Sequence, residues 1–344
     1  MATNGGTYLT IADLATRSDK DGMPLKIAEV VNEDNGLPAH MVWKPSTEMM
    51  GNRTVIRTGL PTVSTRRLNK GITPSKSSTS VVKDSMSLLA SRSHVDLKEL
   101  QLHKNPDQFR IDEGMAFIES NIQKVTELVI TGDPSTSGGE EFLGLQGRYN
   151  SLSGNISDNV ISCGGTGSDL SSIWVIKHGA GFHGIHPMNT LAGLQHDDLG
   201  KIQQSDVDGS TALNHGSPLY SVMADEWQWD CGIAVPDWRC VARVCNVESS
   251  DALGLSGTQE LTDYATNIRY AMLDALERIP SVGEGRVMIY MPRSLKIAMM
   301  KMSLALTSAN VFTTESVNGR PTTFFFDNEV HVLDKLGYTE TAVS

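Results

Sequence analysis

Cysteine is scarce in this chain. Only Cys163, Cys231, Cys240 and Cys245 occur in 344 residues, and no two stand at C-x-x-C spacing. That argues against a disulfide-stapled scaffold and gives a zinc site little support, so four reduced, mostly buried thiols are expected. No run approaches the roughly 18 apolar residues of a membrane-crossing helix. The opening MATNGGTYLT has neither the basic start nor the apolar stretch of a secretory signal, so the reading is a protein that begins its work in a cytoplasm, away from membranes. No G-x-S-x-G elbow and no H-E-x-x-H pair is present, which removes hydrolases and zinc peptidases of those designs. With 39% hydrophobic and 20% charged residues, the composition is that of a folded protein. One folded body with subregions and extended arms is expected.

What the chain does have is segregated charge. Lys and Arg number 29 against 40 Asp and Glu, a formal charge of -11. An acidic chain repels nucleic acid instead of coating it. Residues 53–83 are the exception. They carry Arg53, Arg57, Arg66, Arg67, Lys70, Lys76 and Lys83, with no Asp, Glu, Phe, Tyr, Trp or His. With +7 there, a total of -11 leaves -18 on the remainder. Thr54–Arg57 and Ser80–Lys83 read as strands, and the Gly, Pro, Ser and Thr between them read as turns, predicting a long two-stranded protrusion. Ordering its 31 residues costs on the order of 30–60 kcal/mol at roughly 1–2 kcal/mol each. So few apolar side chains hardly offset that within one subunit. Single-stranded nucleic acid is usually held by cations interleaved with aromatic stacking groups, and none is here. Docking onto an acidic protein surface, namely another copy of the same chain, is the better reading.

Residues 105–131 predict a long helix. Asn105 can cap it, Pro106 suits its first turn, and Asp107, Asp112 and Glu113 suit its positive end. Ile111, Met115, Ile118, Ile122, Val125 and Val129 recur at spacings of four and three, one apolar stripe, and Gly132 stops the run. Short helices are predicted at Tyr8–Thr16 and Leu25–Val31 on an otherwise extended arm. Ser171–Lys177 with Phe182–His186, and Trp227–Ile233 with Trp238–Asn246, read as two strand pairs. The closing third reads as helix 258–279, strand Val287–Tyr290, and a helix from Pro292 to Leu304. A hairpin at Asn318-Gly319 and strands Val330–Leu333 and Tyr338–Val343 follow.

Chemistry has few candidates. His178, His183 and His186, with His196, Asp197 and Asp198 following, suggest a divalent-metal site and hence a metal-dependent enzyme. Histidines at strand edges are the simpler reading. Asp206-Val-Asp208-Gly209 lacks the ligand series of a calcium loop and reads as a hairpin turn. Gly164–Gly167 has no following Lys and reads as a connector. Trp227, Trp229 and Trp238 read as core before they read as a stacking platform. No catalytic residue, metal or cofactor is assigned.

Val95-Asp96-Leu97, the helix 105–131, Gly132-Asp133 and Phe142-Leu143-Gly144-Leu145 follow in an order that resembles the HK97-like major capsid proteins of tailed bacteriophages. Arg53-Thr-Val-Ile-Arg57-Thr-Gly-Leu-Pro61-Thr-Val and Gly232-Ile-Ala-Val-Pro-Asp237-Trp-Arg239 through Arg243-Val-Cys-Asn246-Val are similar to the short-tailed, epsilon15-type group. The resemblance implies an α+β HK97-like capsid fold. It places an N-terminal arm at 1–50, an extension loop at 51–94, a peripheral domain at 95–250 holding the spine helix, and an axial domain at 251–344 with C-terminal strands. A rearranged strand order is expected, because strand pairs come early and the helix–strand–helix unit late. The implied function is non-enzymatic self-assembly, as hexamers and pentamers, into an icosahedral shell around a double-stranded DNA genome. Cationic loop residues and the spine stripe would make the contacts. The implied partners are a separate scaffolding protein, a portal, a decoration or cement protein, and packaged DNA held non-specifically. The implied place is the virion, with the host cytoplasm during assembly. No isopeptide cross-link from Lys70 or Lys76 is expected. An encapsulin-like cellular compartment shares the fold and is the alternative.

Overall fold

The computed structural model describes residues 33–102, 104–154, 156–205, 219–248, 258–281, 283–305, 312–317 and 320–344. The helices expected at Tyr8–Thr16 and Leu25–Val31 and the turns at Asp206–Gly209 and Asn318-Gly319 lie outside them. In chain order the elements are α1 (Leu37–His40), β1 (Trp43–Pro45), β2 (Gly51–Gly59), β3 (Ser78–Asp96), α2 (Leu97–Leu102), α3 (Pro106–Thr131), α4 (Leu145–Arg148), β4 (Val160–Ser162), β5 (Leu170–Gly179), β6 (His183–His186), β7 (Gln195–Ser205), β8 (Leu219–Ala234), β9 (Val241–Glu248), α5 (Thr258–Arg278), β10 (Gly285–Met291), α6 (Arg293–Ala305), β11 (Phe312–Val317), β12 (Arg320–Phe325) and β13 (Asn328–Val332). Two compact units result. Of the described residues, one comprises those within 88–124 and 193–230, and the larger one those within 33–87, 125–192 and 231–344.

The larger unit is built on a seven-stranded sheet in the order β11-β12-β13-β10-β5-β9-β4. Its pairings are antiparallel except β10–β13 and β4–β9. The sheet takes strands from both sides of residue 250. β5 is buried at every position but its last, as expected of a central strand covered on both faces. Ile173 and Val175 join Val244, Ile289 and Phe325 with Ile268, Met272 and Ala275 of α5 and Leu295 and Met299 of α6 in one core. Burying β5 also buries polar groups, which need partners. Lys177 Nζ donates to the Pro280 carbonyl at 2.8 Å. Arg243, on β9, is 1% exposed. It donates to Ser172 Oγ at 2.9 Å, the Tyr149 carbonyl at 2.7 Å and the Glu340 carboxylate at 2.7 Å.

Three strand expectations are corrected. β5 and β6 do not pair with each other. β5 pairs with β9 and β10, whereas β6 pairs with β1 and β8. Gly179–Gly181 is therefore a crossing between ladders, not a hairpin turn. β8 and β9 likewise belong to different sheets. Between them a 3₁₀ turn at Trp238–Cys240 is capped by Asp237, which accepts from Arg239 N. Alternation and apolar runs predict that a strand exists, but not which strand it pairs with. Residues 338–343 form a single bridge, Leu170 to Glu340, where the carboxylate turns inward to Arg243 instead of lying along a ladder.

In the smaller unit β7 and β8 pair antiparallel, from Gln195 opposite Gln228 to Ser205 opposite Leu219. Against β8 lies the first part of α3. Phe117 stacks on Trp227 with centroids 4.8 Å apart, and a Cβ on Gly114 would stand 3.1 Å from the same indole. Asn121 Nδ2 donates to Ser91 Oγ of β3 at 2.7 Å. Val95, Leu100 and Phe109, with Met223 against them, form a small core. Trp227 and Trp229 are buried, in accord with the core reading.

The predicted long helix spans Pro106–Thr131. It ends where Gly132 N donates to the Leu128 carbonyl at 3.0 Å and Gly144 N to the Gly132 carbonyl at 2.8 Å. A Cβ on Gly132 would meet the Leu128 and Phe142 oxygens at 2.6 Å. Only glycine permits that approach.

Candidate assembly surface

Residues 51–87 form a hairpin with an anchored root and a free blade. At the root Asn52 pairs with Asp84 and Gly51 with Ser85. Asp84 is buried and its carboxylate meets the Arg148 guanidinium of α4 at 2.7 Å. The Phe142 amide donates to Ser87 Oγ at 2.8 Å, and Met86 packs with Ile185 and Ala234. β8 passes close by: a Cβ on Gly232 would stand 2.7 Å from the Ser85 carbonyl. These contacts fix the direction in which the hairpin leaves the body of its unit.

Beyond Arg53–Lys83 the pairing runs out to Gly59–Ser78, and residues 60–76 are exposed throughout. Arg53, Arg57, Arg66, Arg67, Lys70, Lys76 and Lys83 are all exposed, and among the described residues none of the seven forms an ion pair. Arg66 Nε donates to the Lys70 carbonyl at 2.8 Å, which shapes the tip. Apolar side chains are exposed with them: Leu60 at 80%, Val63 at 94%, Leu68 at 94% and Ile72 at 58%. These four were not singled out in the sequence. Their signal was present, in that they are the apolar residues of a stretch without an acid or an aromatic.

The stripe on α3 divides. Val125 and Val129 are buried in the larger unit, at 0% and 1% exposure, while Ile111 and Met115 in the smaller unit are 59% and 54% exposed. Ile118 and Ile122 are half-buried. Ile111, Met115 and Ile118 line a groove of about 470 Å³ with Leu194 and Trp227. Its polar edge is a network in which Arg110 reaches Asp225 at 2.7 Å and Asp198 at 2.9 Å. The Gly200 backbone N–H, and then the Arg110 guanidinium, hold the Asp198 carboxyl below the usual carboxylate range. Asp107 lies at the same edge.

The three histidines weighed as metal ligands do not converge. His178 is on β5, where Nε2 lies 2.8 Å from Tyr290 Oη. Burial depresses its proton affinity to a pKa of about 3. His183 and His186 are on β6, in the other sheet; His183 is lowered by burial and by Lys44, and His186 Nδ1 faces the Pro187 carbonyl at 3.0 Å. Among the described residues no three His, Cys, Asp or Glu side chains are grouped to hold a metal ion, and no helix is long and apolar enough to cross a membrane.

The family model described as "Major capsid protein GP7" matches residues 19–344. Among curated proteins none matches. Among solved structures the chain is similar to that of bacteriophage Epsilon15, with 24% identity, a TM-score of 0.72, and coverage of 100% of this chain and 99% of that one. It is also similar to the bacteriophage JBD30 capsid chain, with 12% identity, a TM-score of 0.44, and coverage of 94% and 97%. The fold is thus the α+β, HK97-like capsid architecture that the resemblance implied.

Proposed function

The chain belongs to the GP7 family of major capsid proteins, and on that premise we propose that it tiles an icosahedral bacteriophage shell, as hexamers and pentamers, around double-stranded DNA. A single observation carries the contact mechanism. The blade at 60–76 bears cations with no ion pair among the described residues, and large exposed apolar side chains, in a chain whose remainder carries net negative charge. Exposed apolar groups of that size in an otherwise soluble protein mark a contact surface. The opposite charge of a neighbouring copy would steer the blade and fix its register. The α3 groove at Ile111, Met115 and Trp227, edged by Asp107 and Asp198, is the receiver with matching character. Many such contacts act together in a closed shell, so weak pairs give a stable whole.

The hairpin at 51–94 is then the extension loop, α3 the spine, and residues 1–50 an arm that clasps a neighbour. The expected further partners are a scaffolding protein, a portal and a decoration protein, with assembly in the host cytoplasm. The negative charge outside the loop favours loose, non-specific packing of DNA. The family favours a virion shell over a cellular compartment of the same fold. The test is electron microscopy of the chain expressed with its scaffold: closed shells are expected from the unaltered protein. Monomers under every assembly condition would remove the proposal.

A further inference from the structure

A second cluster of side chains gathers at the end of α1. His40 closes α1. Its Nδ1 stands 3.1 Å from Tyr290 Oη, the same hydroxyl that His178 Nε2 approaches at 2.8 Å. The His40 ring also lies on His331, with centroids 4.2 Å apart. Three imidazoles from α1, β5 and β13 thus surround one phenol from β10. A hydroxyl can give its proton to one imidazole and accept from another only while at least one ring nitrogen keeps a lone pair. The charged groups facing His40 are Arg286 of β10, Glu329 of β13 and Asp34 of its own segment. Lys296 of α6 acts on His331. A cavity of about 630 Å³ lined by His40, Lys44, His178, Glu284 and Arg286 gives solvent protons a way in.

We propose that this cluster is an acid-sensitive latch holding residues 34–45, the strap that leads into the loop, onto the seven-stranded sheet. The strap is tied at its start by Asp34 N donating to Asp334 Oδ2 at 2.9 Å. It is tied at its end by Trp43 of β1 opposite Gly184 of β6. His40 is its tie in the middle, beside the buried Leu37 and Met41. Protonation of His40 and His178 would crowd like charges around Tyr290, because Glu329 meets Arg286 with one oxygen and has the other 3.1 Å from His331 Nε2.

The sign follows from burial. Burial lowers His40 from 6.5 to about 4 and His178 to about 3, and lowers His331 as well. The released strap binds the proton more tightly than the closed one. The latch is therefore at full strength above about pH 6.5 and weakens as the pH falls from there toward 4. Asp334 does not confuse this window, because its hydrogen bond from Arg293 keeps its carboxyl below the usual range.

Hydrogen exchange on the full-length chain, corrected for intrinsic rates, tests the latch without reference to shell formation. Between pH 6.5 and 4.5 the Met41 and Asp334 amides should lose protection by up to roughly tenfold per pH unit for one linked proton. Amides of β5 should hold theirs. In His40→Leu that slope should flatten. Constant protection in the unaltered chain, or an equal slope in a folded His40→Leu variant, would overturn the proposal. If that variant does not fold, imidazole NMR of the unaltered chain decides: a His40 midpoint near 4 is expected, and one at or above 6.5 refutes it.

Discussion

Arg243 and Arg66 are the same residue type in opposite settings. Arg243 is enclosed by Ser172, Tyr149 and Glu340 and lies over the Trp174 ring, 5.1 Å from its centroid. Arg66 stands on an exposed blade and donates to one carbonyl. In the sheet every cation that is buried has a partner from its own chain, so its charge stabilises one particular fold. On the blade the charges have no such partner among the described residues, so they contribute little to the isolated chain and, on the proposed function, are left for a neighbour. The difference shows how one sequence can keep folding and assembly apart, by placing similar chemistry at different depths.

That contrast can be broken experimentally. Arg243→Ala should leave Glu340 buried and unpaired and cost about 3–5 kcal/mol of unfolding free energy, read by denaturant titration; a loss below about 1 kcal/mol would contradict the enclosed geometry. The double change Arg66→Glu, Arg67→Glu should abolish shells while moving the chain's own stability by no more than about 0.5 kcal/mol. An unaltered shell yield would refute the loop assignment. Within α3 the same opposition is sharper. Val129→Ala should destabilise the chain by about 2 kcal/mol through the cavity it leaves, whereas Met115→Ala should change folding little and lower shell yield. Salt gives the smallest effect. Near 1 M the screening length falls to about 3 Å from about 10 Å at 0.1 M, so assembly should slow while the unfolding midpoint of the chain hardly moves.

Much of this was legible in the residues. Asn105 and Pro106 with the spacing of Ile111 to Val129 placed α3 within one residue at its start, and the run without Asp or Glu marked the hairpin. The partners of β5, β6, β8 and β9 were not legible. Their apolar content is satisfied equally by a neighbour in sequence or by a strand a hundred residues away, and only the whole core decides. The depth of the α3 stripe was hidden for a related reason. Periodicity shows which face is apolar, and it does not show whether the chain itself or another copy covers it. The loss of the histidine site follows from the same crossing, since Gly179–Gly181 sends His178 and His183 into different sheets.

The sheet order has a bearing on timing at the ribosome. β5 emerges early, yet its two flanking strands end at residues 248 and 291, and its first residue is bridged by Glu340. Pairings of such long sequence separation form slowly and late. The blade, by contrast, pairs only β2 with β3, which are close in sequence, although its root waits for Phe142, Arg148 and β8. A nascent chain would therefore expose its positively charged finger well before the sheet of its body is complete. On the proposed function, the net negative remainder, most of it translated afterwards, is what lets finished copies accept one another.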